Sequence, residues 1–170
     1  MTIEAVLCDR DGTLLVDVPY NGDPARVLPM PTVAEGLERL RAEGLKLGVV
    51  SNQAGVAQGL LTEAAVEAVM ARMQEVLGPF DTVLWCPHGP DDGCGCRKPA
   101  PGMVKEAARQ LGVDPTRCAL IGDTGADVDA AQAAGAVGVL VPTERTRLQE
   151  VGLAPVVAPT FAAAVNLLLR

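Results

Sequence analysis

Two carboxylates stand two residues apart in the run Asp9-Arg10-Asp11-Gly12-Thr13, directly after an apolar stretch with the look of a strand. Extended backbone would send both side chains to one side. Anions that close repel each other and need a cation, and hard carboxylate oxygens suit magnesium. Gly12 permits a sharp turn behind them, and the Thr13 hydroxyl can tie that turn. A solvated acidic turn is the bland reading of the same run. A calcium loop is excluded by spacing: it needs Gly at its sixth position and a bidentate Glu at its twelfth, where this chain has Leu14 and Tyr20.

Other polar groups fall at comparable places. Ser51-Asn52-Gln53 closes the apolar run LKLGVV, Gly122-Asp123 closes CALI, and Asp127 follows one helical turn later. Each alone reads as a turn or cap residue, and Asp127 could simply complement a helix dipole. Their joint placement at three strand ends is what chance explains poorly. Lys98 adds a compact positive charge, available to phosphate oxygens or to the Asp9 carboxylate. Such a set suits phosphoryl transfer, which depends on positioning and on neutralising charge at the equatorial oxygens.

A third constellation is Cys86, His88, Cys94 and Cys96, which uses the only histidine and three of the five cysteines. Four such ligands match a closed structural zinc site; free thiols or a disulfide are the alternatives. The intervening GPDDGCG cannot build a packed core, so a metal would supply the order that burial cannot. That order would reach Arg97 and Lys98 immediately afterwards. Cys8 and Cys118 lie inside apolar runs and read as small buried hydrophobes.

The elements that must position these groups follow from periodicity. Strands are predicted at 3–8, 45–50, 82–85, 118–121 and 137–141, and helices over 32–43, from an N-cap at Thr62 to 77, and near 102–111, 126–134 and 161–169. Gly44 is expected to close the first helix. Alternation of this kind implies right-handed crossovers and an α/β, doubly wound parallel sheet, with ligands at the carboxyl ends of its strands. The 170 residues fit one domain, and a core of Val, Leu, Ala and Ile follows from 49% hydrophobic but 2% aromatic composition. The segment between Thr13 and the first helix is too short for a large cap.

A net charge of −7 argues against nucleic-acid and membrane-surface partners. The start MTIEAVLCDR lacks a basic leader, and no apolar run reaches the roughly 18 residues of a spanning helix. A cytoplasmic monomer acting on a small phosphorylated metabolite is the expectation.

DRDGT, Ser51, Lys98 and GDTGAD, in this order, resemble the motifs of the haloacid dehalogenase (HAD) superfamily of phosphatases over nearly the whole chain. DRDGTL, SNQAGVAQG, CPH with CGCRKPAPGM, and IGDTGADVDAA resemble its small capless branch, which acts on heptose bisphosphates and on histidinol phosphate. The resemblance implies that Asp9 attacks phosphorus while Asp11 protonates the leaving alcohol and then activates water. It implies magnesium on Asp9, the Asp11 carbonyl and Asp123, with Asp127 behind them. Ser51 and Lys98 would stabilise the transferring group, Arg97 would contact substrate, and Asp17, Tyr20, Asn52 and Gln53 would line the pocket. Thr124, Gln58 and Ala100 depart from the branch's pattern and remove positive charge that could meet a second phosphate. A heptose 1,7-bisphosphate losing its 7-phosphate is the leading expected substrate, histidinol phosphate the alternative.

Overall fold

Side-chain alternation in the first strand sorts the core into two layers. In β1 (Ala5–Cys8) all four residues are fully buried; Val6 and Cys8 enter one apolar cluster, Ala5 and Leu7 the other. The structure, a computed structural model, describes residues 2–170. Four further strands, β2 (Lys46–Asn52), β3 (Thr82–Cys86), β4 (Cys118–Gly122) and β5 (Val137–Leu140), pair in parallel in the order β3-β2-β1-β4-β5. Cys8 stands opposite Val49 on one side and Ile121 on the other. The sheet is therefore the doubly wound one the alternation predicts.

Helices cover both faces. Residues of α1 (Val33–Ala42), α2 (Glu63–Leu77) and α6 (Phe161–Leu168) enter the cluster of Val6 and Cys8, and those of α3 (Gly102–Leu111) and α4 (Gly125–Ala134) enter that of Ala5 and Leu7. Thr62 caps α2 by accepting the Ala65 N–H (3.1 Å), and Gly44 takes a left-handed φ of 75° just past α1. Each predicted strand and helix is present, with ends shifted by a residue or two. One short helix, α5 (Leu148–Leu153), has no counterpart in the sequence reading. It buries none of its residues, so it carries no apolar stripe to read.

Strand order reverses between β1 and β4, because the chain builds outward from β1 through β2 and β3 before crossing back. In such sheets the carboxyl ends of the strands diverge at this point and leave a crevice. The segments leaving β1, β2 and β4 all open there. Among the described residues no large cap stands over it, and no helix is long and apolar enough to cross a membrane.

Candidate active site

The Asp9 N–H donates to the Ile121 carbonyl (3.0 Å), extending the β1–β4 ladder by one residue. That places Asp9 beside the end of β4, where Asp123 and Asp127 follow, and one oxygen from each of the three carboxylates lies within 4.8 Å of the others. Gly12 makes the corner possible: its φ is 83°, and a Cβ there would stand 2.3 Å from Asp123 Oδ2. Thr13 ties the same corner, its Oγ1 donating to Asp123 Oδ1 (3.3 Å).

One cation faces this group from inside the protein. Lys98, 3% exposed, donates through Nζ to Asp9 Oδ1 (2.8 Å), Asp127 Oδ1 (2.5 Å) and the Val50 carbonyl (2.7 Å), which uses all three ammonium hydrogens. Although burial pulls Lys98 downward, Asp127 and Asp9 hold it above its ordinary value. Burial and the neighbouring carboxylates hold Asp9 well above the usual range despite Lys98, and burial with Asp127 raises Asp123 to about 6. Asp127 has no oxygen to spare, since its Oδ2 accepts from Thr124 N (3.1 Å) and Oγ1 (2.8 Å). Three carboxylates against one ammonium leave negative charge in a poorly solvated place, with Asp9 and Asp123 facing it. A hard divalent cation fits that donor set.

Asp11 has a different cation from the one expected. Its carboxylate is forked by the buried guanidinium of Arg10, Nε to Oδ1 (3.0 Å) and Nη2 to Oδ2 (2.9 Å), because the chain folds back after Arg10 and sends the Leu14 and Leu15 amides to the Arg10 carbonyl. A single ion thus need not relieve both acids of the run. Gln53 Nε2 bridges Asp11 Oδ2 (3.0 Å) and Ser51 Oγ (2.9 Å), so the Ser51 hydroxyl accepts there and keeps its own hydrogen for another partner. Arg10 was not singled out in the sequence, although an arginine between two aspartates was the signal.

Asn52, expected at the substrate, spends its carboxamide on the protein: Nδ2 donates to the Lys98 carbonyl and Oδ1 accepts the Lys98 N–H, both at 3.0 Å. With Arg97, Lys98 and Thr124 it also lines a cleft of about 510 Å³. Asp17 lies apart from that cleft, paired with Arg145 (2.5 Å) in a hollow of about 410 Å³ beside Gly12 and Asp123. Tyr20 is 53% exposed and packs near Gly55, lining neither space.

The sulfur cluster closes one wall of the cleft. Two sulfurs on a tetrahedral zinc, each bonded at about 2.3 Å, stand roughly 3.7 Å apart, and Cys86 and Cys94 are separated by 3.7 Å. His88 Nδ1 lies 3.3 Å from Cys86 Sγ and 3.2 Å from Cys96 Sγ, while Cys86 and Cys96 approach to 2.7 Å without a disulfide. The Arg97 N–H donates to Cys94 Sγ (3.4 Å) and brings that thiol down to about 6, towards the thiolate a metal requires. Cys8 and Cys118 are buried, as expected.

Residues 95–167 match the HAD-hydrolase-like family. The chain is 37% identical to the D-glycero-beta-D-manno-heptose-1,7-bisphosphate 7-phosphatase of Pseudomonas aeruginosa over 84% of this chain and 83% of that protein, and 35% identical to its namesake in Bordetella bronchiseptica over 85% and 84%. The crystal structure of the D,D-heptose 1,7-bisphosphate phosphatase from B. bronchiseptica, complexed with magnesium and phosphate, superposes with a TM-score of 0.87 at 31% identity over 98% of both chains. Likeness of this depth in both sequence and fold makes the chain a member of the HAD-like phosphatases, in the family of the heptose-bisphosphate enzymes.

Proposed function

We propose that this chain hydrolyses the 7-phosphate of a D-glycero-D-manno-heptose 1,7-bisphosphate, with Asp9 as the nucleophile. The carrying observation is the contact of Asp9 Oδ1 with Lys98 Nζ (2.8 Å) at the switch point of the sheet, beside Asp123. The named activity of the relatives supports the substrate.

In this reading the Asp9 carboxylate attacks phosphorus and the bond to the sugar oxygen breaks. Asp11 takes up a proton from solvent before the step, gives it to the departing alkoxide, then takes one from the water that splits the aspartyl phosphate. Arg10 and Gln53, whose donors meet both Asp11 oxygens, hold it as the acceptor that the second transfer needs; for the first, the proton takes the place of one of these contacts. Ser51 directs its hydroxyl hydrogen at the phosphoryl oxygens, and Lys98 keeps its charge beside them through Asp9. Arg97, which uses Nη1 on the His88 carbonyl (3.3 Å), has further donors for the second phosphate.

Asp9, Asp123 and the Asp11 carbonyl would hold magnesium, which when bound neutralises charge on the phosphoryl group. Cys86, His88, Cys94 and Cys96 would hold a structural zinc that stiffens residues 86–96 ahead of Arg97 and Lys98. In this reading residues 1–170 form one HAD-like domain that works in the cytoplasm as a monomer, on a small phosphorylated substrate and not on nucleic acid or membrane.

A panel of heptose bisphosphate, sugar monophosphates and histidinol phosphate, ranked by kcat/KM with magnesium, tests the reading. The bisphosphate is expected to lead, and a clear preference for histidinol phosphate would replace it.

A further inference from the structure

We infer that Thr146 and Glu150 are positioning residues for Asp123, gripping its turn from the segment that follows β5. Thr146 Oγ1 donates to the Asp123 carbonyl (2.7 Å) and accepts the Thr143 N–H (2.8 Å). Glu150 accepts the Gly125 N–H on Oε1 (3.0 Å) and the Arg147 N–H on Oε2 (2.9 Å). One side chain therefore holds the acceptor on one side of Thr124, and the other holds the donor on the far side. Thr124 lies between the two grips, and the carbonyl that Thr146 holds is that of Asp123 itself.

Packing does not account for this arrangement. α5 buries no residue, and its Leu148 and Leu153 are 89% and 76% exposed. Polar contacts are what join α5 and the residues just before it to the site: the two grips and the Arg145 pair with Asp17. Asp123 needs such restraint, because its carboxylate is held near the mutually repelling Asp9 and Asp127, and its own side-chain tie is the 3.3 Å contact from Thr13. A turn that can shift lets those charges spread apart; a gripped turn keeps Asp123 where a cation can be shared with Asp9.

The inference rests on the reading of Asp123 as a magnesium ligand, and its test separates the two. Magnesium affinity is measured by calorimetry on folded wild type, Thr146→Val, Thr146→Ser, Glu150→Ala and Asp123→Asn, alongside kcat and KM. Thr146→Val and Glu150→Ala are each expected to weaken magnesium binding about tenfold, with KM unchanged at saturating magnesium and with Thr146→Ser restoring affinity. Wild-type affinity in either variant removes that residue from the role, as does equal loss in Thr146→Ser and Thr146→Val. If Asp123→Asn binds magnesium normally, the ligand reading falls and takes this inference with it. Should Thr146→Val not fold, Glu150→Ala, at a part-buried position, decides alone.

Discussion

The carboxamide of Asn52 pairs with both backbone polar groups of Lys98, donor to acceptor and acceptor to donor at 3.0 Å each, as a neighbouring strand would. The loop carrying Lys98 comes from the far side of β3, so this pairing joins it to the end of β2 and fixes where its side chain enters. Lys98 then runs inward to Val50, Asp9 and Asp127. A residue at the mouth of the cleft thus sets the position of a charge in its floor.

Asn52→Asp is expected to lower kcat roughly 10- to 100-fold with little change in KM. The carboxylate can still accept the Lys98 N–H, but its second oxygen would face the Lys98 carbonyl with no hydrogen between them. Steady-state kinetics on the bisphosphate separate this from a direct substrate contact. If KM rises while kcat holds, Asn52 serves the substrate instead of Lys98.

Asp9→Asn keeps the volume of the side chain and its capacity to accept from Lys98, but a neutral amide cannot attack phosphorus. Turnover of a generic phosphate ester is expected to fall by about 10³-fold or more and to lose its response to magnesium. Equal rates in the variant and the wild type would favour a noncatalytic binding module built on the same fold.

Much of this arrangement could be read from the chain before its coordinates. The strands announce themselves as short Val- and Leu-rich runs ending at Asp9, Asn52 and Asp123, and local periodicity places the helices between them because each buries an apolar stripe. What could not be read is which charge answers Asp11. Lys98 is already a candidate partner for Asp9 across 89 residues of sequence, but only the fold-back at Arg10 turns its guanidinium onto Asp11 and leaves the other aspartate to Lys98. The helix carrying Glu150 was illegible for a related reason: its partners are the Gly125 and Arg147 amides, and Gly125 belongs to a distant stretch of chain.

As a ligand in the proposed reading, Asp123 would tie metal binding to pH. Its value of about 6, against an ordinary 3.8, means the folded protein holds this proton more tightly than the unfolded chain. The stability it contributes is present below the ordinary carboxylate range and is lost as pH rises through about 6. Magnesium binds the charged form, so the rise in Tm it produces should be larger near pH 7.5 than near pH 5. Thermal melts with and without magnesium at both values check this. The same shift at each would mean that no proton leaves on binding, and Asp123 would drop out of the ligand set.

Cys94→Ser tests whether the sulfur cluster works by ordering the Lys98 loop. Cys94 serves two neighbours, adding its sulfur to a group of four side chains that could hold a metal and accepting the Arg97 N–H (3.4 Å), so its loss would loosen the peptide next to Lys98 while leaving Asp9 and Asp123 intact. The variant should retain less than the wild type's zinc and lose about tenfold in turnover, with magnesium affinity unchanged. Zinc content by atomic absorption, read beside kcat, makes the comparison. A variant with its full zinc and full turnover would take Cys94 out of both the ligand group and the ordering of Lys98, whereas zinc lost with turnover kept would separate the cluster from catalysis.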